Sequence, residues 1–225
     1  MREIVLDTET TGLNPKFGDR VVEIGCVELL NHIATGETYH TYVNPERDMP
    51  AEAEAVHGLS IEFLSDKPLF ADIADDFLAF VGSSSVIAHN APFDLGFLNA
   101  ELKAAGRPIL PKDRSIDTVP LARRKFPGAQ VNLDALCRRF NVDLSARVKH
   151  GALLDSELLA EVYLELVGGR EPGLGLASNG KVEKADVAIK VDRIARPARP
   201  HAPSPQELSS HVKFLETIKN PVWKT

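Results

Sequence analysis

The order of apolar runs predicts an α/β domain with a mixed central sheet flanked by helices. Three strand-like runs crowd into the first 43 residues, and alternating helix and strand patterns follow as far as Gly168-Gly169. With 225 residues, 44% of them hydrophobic and 26% charged, the chain has enough apolar material for one domain with a real core, plus an appendage.

The first strand is expected at residues 2–7 (REIVLD). Gly12, Asn14, Pro15 and Gly18 then supply turn formers before a second run, Val21 to Leu30, and a third strand is expected from Glu37 to Val43. Such closely spaced runs suit antiparallel neighbours on one side of the sheet. Between Leu69 and Val81 the period becomes helical, with Phe70, Ile73, Ala74, Phe77 and Leu78 on one stripe. Ser85 to Ala88 reads as a short buried strand. Asn90 stands where a helix cap is expected, Pro92 falls in the tolerated first turn, and Phe97, Leu98 and Leu102 form the apolar stripe that follows. Further helices are expected at Val119–Lys125, Leu133–Phe140 and Leu153–Val167.

Beyond residue 170 the composition changes. Residues 171–206 carry Gly173, Gly175 and Gly180, then Pro197, Pro200, Pro203 and Pro205, which reads as a flexible linker that buries little surface. Residues 207–225 regain order, with Val212, Leu215 and Ile218 at helical spacing from His211 to Ile218 and Trp223 close behind. A helix this short gains its stability by docking on something else.

Charge divides along the same line. Residues 1–170 are net −9 and residues 171–225 net +3, together the −6 of the whole chain. An acidic body lacks the broad positive surface that binds nucleic acid by itself, so weak intrinsic affinity and processivity borrowed from a partner are expected. Cys26 and Cys137 lie in apolar or helical contexts, pointing to buried thiols and not to a disulfide framework or a thiolate metal site. No apolar run approaches the roughly 20 residues needed to cross a bilayer, and no basic, apolar leader precedes the first strand. A cytoplasmic protein without a membrane contact is expected.

Four carboxylates sit at element ends. Asp7 and Glu9 are two apart at the end of the first strand and so share a face. Asp94 lies in the first turn of the helix after Asn90, and Asp155 near the start of the last core helix. Singly, each has an ordinary explanation as a solvated strand end, a helix-dipole charge or an exposed helix residue. Four that converge would repel unless cations compensate. Oxygen ligands without a Cys/His cluster suit two Mg²⁺ or Mn²⁺ ions about 4 Å apart, which activate water and stabilise charge on a phosphodiester. His150 precedes Asp155 by five residues, and Gly151 favours a loop position from which its imidazole leans over the site as general base.

At these residues the chain resembles a known family. VLDTETTG, AHNAPFDLGFLNAEL and HGALLDSELLAEVYLEL resemble the three motifs of the DEDDh branch of the DnaQ-like exonucleases, most closely the proofreading (epsilon) subunits of bacterial DNA polymerase III. The likeness covers roughly residues 1–170. It implies a ribonuclease H-like fold and an exonuclease domain in which Asp7, Glu9, Asp94 and Asp155 bind two metals and His150 is the base. The sibling branch uses tyrosine as base, and Tyr163 falls eight residues too late to supply it. The resemblance also implies that Val56-His57-Gly58-Leu59 lies against the terminal nucleotide, through His57 and Leu59, with a helix-end cap as the alternative reading of His57. Thr8 would meet the 3′ end through its backbone. Asp117-Thr118 reads either as support for the site or as a helix cap.

The tail is similar to the family too. Residues 171–176 occupy the place of a sliding-clamp-binding peptide, with Leu174 and Leu176 as apolar contacts, but Glu171 stands where relatives carry glutamine. Glu207 to Trp223 resembles the segment that tethers the exonuclease to the polymerase catalytic (alpha) subunit, with Val212, Phe214, Leu215, Ile218 and Trp223 as anchors. The implied activity is stepwise removal of nucleoside 5′-monophosphates from a single-stranded or frayed 3′ end of DNA. Two rivals stand beside it: a stand-alone relative that trims RNA or short oligonucleotides, and a non-catalytic binding module, whose expected mark would be loss of a carboxylate or of the histidine.

Overall fold

A computed structural model of the chain describes residues 1–145, 147, 149–168 and 202–219. It divides into two compact units, Met1–Gly175 and Leu176–Thr225. The first unit holds five strands: β1 (Arg2–Thr10), β2 (Val21–Leu30), β3 (Ile33–Tyr42), β4 (Ser85–Ala88) and β5 (Ser115–Asp117). Its helices are α1 (Ala51–His57), α2 (Ile61–Leu64), α3 (Phe70–Val81), α4 (Ala91–Ala104), α5 (Thr118–Lys125), α6 (Leu133–Phe140) and α7 (Ala152–Val167). The strands lie in the order β3-β2-β1-β4-β5. β2 is antiparallel to β1 and β3, while β4 is parallel to β1 and β5, which makes the sheet mixed as expected.

β1 is buried on both faces and its alternation assigns each side chain to one layer. Ile4 and Leu6 enter a core shared with Phe70 and Phe77 of α3 and Phe97 and Leu98 of α4. Val5 enters the opposite core with Leu136 and Cys137 of α6 and Leu159 and Val162 of α7. Phe70, Phe77 and Phe97 are almost fully enclosed, and burial of such a ring contributes about 1.5–3 kcal/mol. Cys26 and Cys137 are both buried free thiols.

Several boundaries differ from the pattern. β1 runs on to Thr10 because Thr8, Glu9 and Thr10 keep pairing with β2, a long-range gain that local propensity does not reveal. β3 begins at Ile33 because Asn31 and His32 both take left-handed backbones, φ 52° and 68°, and close a tight hairpin. Asn90 occupies the cap position of α4 but does not cap it; its backbone is left-handed at φ 73° and its side chain accepts no hydrogen bond from the helix. The short elements α1, α2 and β5 carry too few residues for a period to show.

Gly25 admits α7 to the sheet. A Cβ on Gly25 would lie 2.2 Å from the Ala152 carbonyl carbon and 2.3 Å from the Leu153 nitrogen, both backbone atoms. Ser156 uses the close approach to donate a hydrogen bond to the Gly25 carbonyl at 2.9 Å. Gly25 pairs with Asp7 across β1 and β2, so the start of α7 is set down beside the end of β1.

In the second unit, α8 (Pro205–Glu216) begins earlier than the His211 expected. Ser204 and Glu207 form a reciprocal capping box and Pro205 takes the first turn. Leu208, Val212 and Phe214 are exposed, and Leu215 and Ile218 are half-buried. Leu174, Leu176 and Trp223 lie outside the described residues. No described helix is long and apolar enough to cross a membrane.

Candidate active site

Glu3, Val5, Asp7 and Glu9 share one face of β1, and Asp155, Leu159 and Tyr163 form one stripe of α7. The helix runs antiparallel to the strand. Tyr163 therefore donates a hydrogen bond to Glu3 at 3.0 Å at one end, and Asp155 reaches the carboxylates of Asp7 and Glu9 at the other. His150 stands on the loop before α7, as the glycine predicts, with Gly151 at the cap position. Asp7, Glu9, His150 and Asp155 line one cleft of about 410 Å³, together with Thr8, His89, Asn132, Leu133, Asp134 and Arg147.

Asp94 lies under the floor of this cleft, 2% exposed. One of its oxygens accepts hydrogen bonds from the Thr8 backbone N–H at 3.1 Å and the Thr8 hydroxyl at 2.8 Å. Thr8 points to the α4 side of β1, so it joins strand and helix and carries Asp94 to the back of Asp7.

The carboxylates are held against their preference for charge. Burial, then Asp94, Glu9 and Asp155 in turn, push Asp7 well above the ordinary carboxylate range. Burial and the neighbouring Glu23 push Glu9 up to about 8, and burial pushes Asp94 up to about 7 in spite of its hydrogen bonds from Thr8. Arg147 pulls Asp7 and Glu9 the other way. Its guanidinium grips Asp155 in a two-pronged pair, Nε to Oδ1 at 2.5 Å and Nη2 to Oδ2 at 2.6 Å, bonds Asp134 on the far side and meets His150 Nδ1 at 2.8 Å.

These residues fit a divalent cation. Their donors are hard carboxylate oxygens and one imidazole, and single ligand atoms of Glu9, His150 and Asp155 all lie within 4.8 Å of one another. Repulsion that burial has concentrated is relieved by a positive ion at its centre.

Comparison with known proteins agrees with this geometry. The Exonuclease family of the RNase T type matches residues 4–163. The chain belongs to the DEDDh exonucleases of the DnaQ-like family. It is 49% identical to the DNA polymerase III subunit epsilon of Rickettsia felis, covering 97% of each chain, and 40% identical to that of Escherichia coli K12, covering 97% of this chain and 93% of that one. Among solved structures it resembles exonuclease X in complex with 5′ overhanging duplex DNA, at 27% identity and a TM-score of 0.59, covering 73% of this chain and 90% of that one. The nuclease domain of 3′hExo bound to rAMP shares the fold at 20% identity and a TM-score of 0.63, over 74% and 91% of the two chains. This exonuclease is thus a metal-dependent 3′–5′ enzyme with a ribonuclease H-like fold, closely related to the epsilon subunits.

His57, Leu59, Asp117 and Thr118 do not line this cleft. His57 ends α1, is buried, and accepts a hydrogen bond from the Leu59 N–H at 3.0 Å, while its Nε2 is buried without a partner. Burial holds its pKa below the ordinary value, so the ring is neutral near pH 7. Leu59 is half-buried beside it. Neither residue lines the carboxylate cleft. Asp117 caps α5, accepting from the Val119 N–H at 2.9 Å, and also accepts from the Asn90 N–H at 3.0 Å, while Thr118 meets His89 Nδ1 at 2.8 Å.

Three contributors to the site escape a motif reading of this exonuclease. Arg147 lies three residues before His150 in a segment with no periodic pattern. Glu23 is buried opposite Glu9 inside an apolar strand and is paired to His40 at 2.7 Å, so an acidic letter within the apolar run Val21–Leu30, which it shares with Glu28, was the available signal. Gly25, two residues on, also interrupts that run, and a glycine inside a strand marks close backbone approach.

Proposed function

We propose that this exonuclease is the proofreading subunit of a bacterial replicative DNA polymerase, removing mispaired 3′-terminal nucleotides from DNA in the cytoplasm. The observation that carries the catalytic part is the convergence of Asp7, Glu9 and Asp155, with Asp94 behind them, in one cleft that His150 overlooks. We assign Asp7, Glu9, Asp94 and Asp155 to holding two Mg²⁺ or Mn²⁺ ions. Bound there, the ions supply the positive charge that favours attack by water on the last phosphodiester and departure of the 3′-oxygen.

The protein's own groups do the rest. His150 is half exposed at the mouth of the cleft, where its imidazole takes the proton of the attacking water and passes it to solvent. Thr8, whose N–H and hydroxyl are both taken by Asp94, acts by fixing that carboxylate more than by touching the 3′ end. His57 and Leu59, held together by their own hydrogen bond, are assigned to the face of the terminal nucleotide. A frayed end unpairs more readily at a mismatch, and that difference favours mispaired substrates.

Residues 1–170 form the exonuclease domain in this reading, residues 171–206 the linker, and residues 207–225 the anchor. The stripe Leu208, Val212 and Leu215 on α8, with Phe214 and Ile218 beside it, suits docking on the polymerase alpha subunit, and Leu174 and Leu176 suit the sliding clamp. The likeness to epsilon subunits spans 97% of the chain, so it takes in this tail. A tether raises the local concentration of an acidic enzyme that binds DNA weakly by itself.

The test is release of single nucleotides from 5′-labelled DNA and RNA oligonucleotides with Mg²⁺ or Mn²⁺. Fast 3′-to-5′ shortening of DNA with much slower cleavage of RNA is expected. Equal or faster cleavage of RNA replaces this reading with an RNA-trimming one, and loss of co-elution with the alpha subunit on deletion of residues 207–225 checks the anchor.

A further inference from the structure

Arg147 has more contacts with the site than any ordinary surface arginine needs. Its side chain is 9% exposed, it engages both oxygens of Asp155, and the same Nη2 that bonds Asp155 also points at His150 Nδ1. A guanidinium has donors only and keeps its charge at any working pH. With Nη2 donating, His150 Nδ1, which also stands 3.2 Å from Asp155 Oδ2, takes the acceptor role, and a neutral ring then carries its proton on Nε2. The ring's lone pair is spoken for. In one arrangement, the same group has covered both oxygens of a candidate metal ligand and occupied the candidate base.

We infer that Arg147 is a built-in competitor for the Asp155 end of the metal site, which keeps His150 idle until a cation displaces it. The inference rests on the metal and base assignments proposed above. One guanidinium sets a single positive charge against Asp7, Glu9, Asp94 and Asp155, whereas two divalent ions set four, so the exchange favours the ions where they are present. Like charges then keep the guanidinium away from Asp155. Asp134, 41% exposed and on the far side of Arg147, holds a second anchor through Nη1, so the side chain leaves Asp155 without being released from the cleft wall. Cation binding at Asp155 and freeing of the His150 lone pair become one event. A nuclease built this way does not have a competent base in the absence of its metal.

Binding of Mn²⁺ alone to the full chain tests this, read from the electron paramagnetic resonance of free Mn²⁺. Removing a charge-assisted competitor predicts that Arg147→Met binds Mn²⁺ about tenfold more tightly or better at the Asp155 end, with Arg147→Lys in between. Equal or weaker binding by a folded Arg147→Met overturns the inference and leaves the nuclease reading standing. Nitrogen-15 shifts of the His150 ring in the unmutated protein give a second measurement that needs no variant. In chelator the ring is expected as the Nε2–H tautomer with Nδ1 accepting, and saturating Mg²⁺ is expected to remove that pattern. An unchanged pattern at saturation overturns the inference. Asp155→Asn separates the two levels: it is expected to lose Mn²⁺ affinity, and unaltered binding would overturn the metal assignment itself.

Discussion

The two ends of the β1–α7 contact bury carboxylates on the same face of the same strand and treat them in opposite ways. At the Glu3 end, a fully buried carboxylate accepts a hydrogen bond from the Tyr163 hydroxyl at 3.0 Å on one oxygen, while His32 Nδ1 stands 2.8 Å from the other outside hydrogen-bonding geometry. At the Glu9 end, Asp7, Glu9, Asp94 and Asp155 face one another with Arg147 as their nearest cation. A buried carboxylate given its own partners supports the fold. Several given each other store repulsion, and their use is to bind something positive.

The sharpest way to break this comparison is to remove one carboxylate from the crowded end. Asp7→Ala is expected to lower hydrolysis of a DNA 3′ end by about 10³-fold or more, since the carboxylate proposed to hold metal there, with several kcal/mol of charge stabilisation, would be gone. Its melting temperature in chelator should hold or rise, because repulsion is relieved. A variant with near-normal, metal-dependent activity would overturn the assignment, and a collapsed fold would show that Asp7 belongs with Glu3 as a structural residue.

A smaller effect is expected from the hinge between strand and helix. Gly25→Ala places a methyl group within 2.3 Å of the Ala152 and Leu153 backbone, so α7 must back away at the turn that carries Asp155. Misplacement of a reacting group by about 1 Å costs roughly 10²-fold in rate, and overpacking costs about 1–3 kcal/mol of stability. Kinetics and a urea melt on the same sample measure both. Normal activity at reduced stability would mean that the helix shifts without taking Asp155 along.

Much of this was legible in the sequence, and for a physical reason. The strand period put Asp7 and Glu9 on one face, the run Val21–Leu30 became β2 with those bounds, and Gly151 correctly kept His150 off the helix. Residues that act through long-range contacts were hidden. Arg147 carries no pattern because its meaning lies in where α7 and β1 meet, and Glu23 reads as a polar interruption until register sets it opposite Glu9. Asn90 misled in the other direction: a good capping letter was used for its tolerance of the left-handed region, which let the chain turn between β4 and α4.

At the quiet end, Tyr163→Phe removes the hydroxyl that serves Glu3 and leaves a buried carboxylate oxygen short of a donor, at a cost of about 1–3 kcal/mol. Activity per folded molecule should be unchanged, because Tyr163 stands two helical turns from Asp155. A rate loss measured below the melting temperature would show that the two ends are coupled along α7.

The mildest test uses pH and touches no residue. Glu9 is pushed up to about 8 in the folded chain against an ordinary value of 4.5, so between those values the folded state binds the extra proton and the unfolded state does not. Stability from this group is complete below about 4.5 and is lost as pH rises through about 8. In chelator the melting temperature should therefore fall across that window, and Glu9→Gln should flatten the slope. Excess Mg²⁺ should reverse the trend, since cations bind the ionised ligands and their stabilising effect grows as protons leave. A slope in chelator that is flat or rising, with Glu9 intact, would mean that the crowded end is satisfied in some way that its geometry does not display.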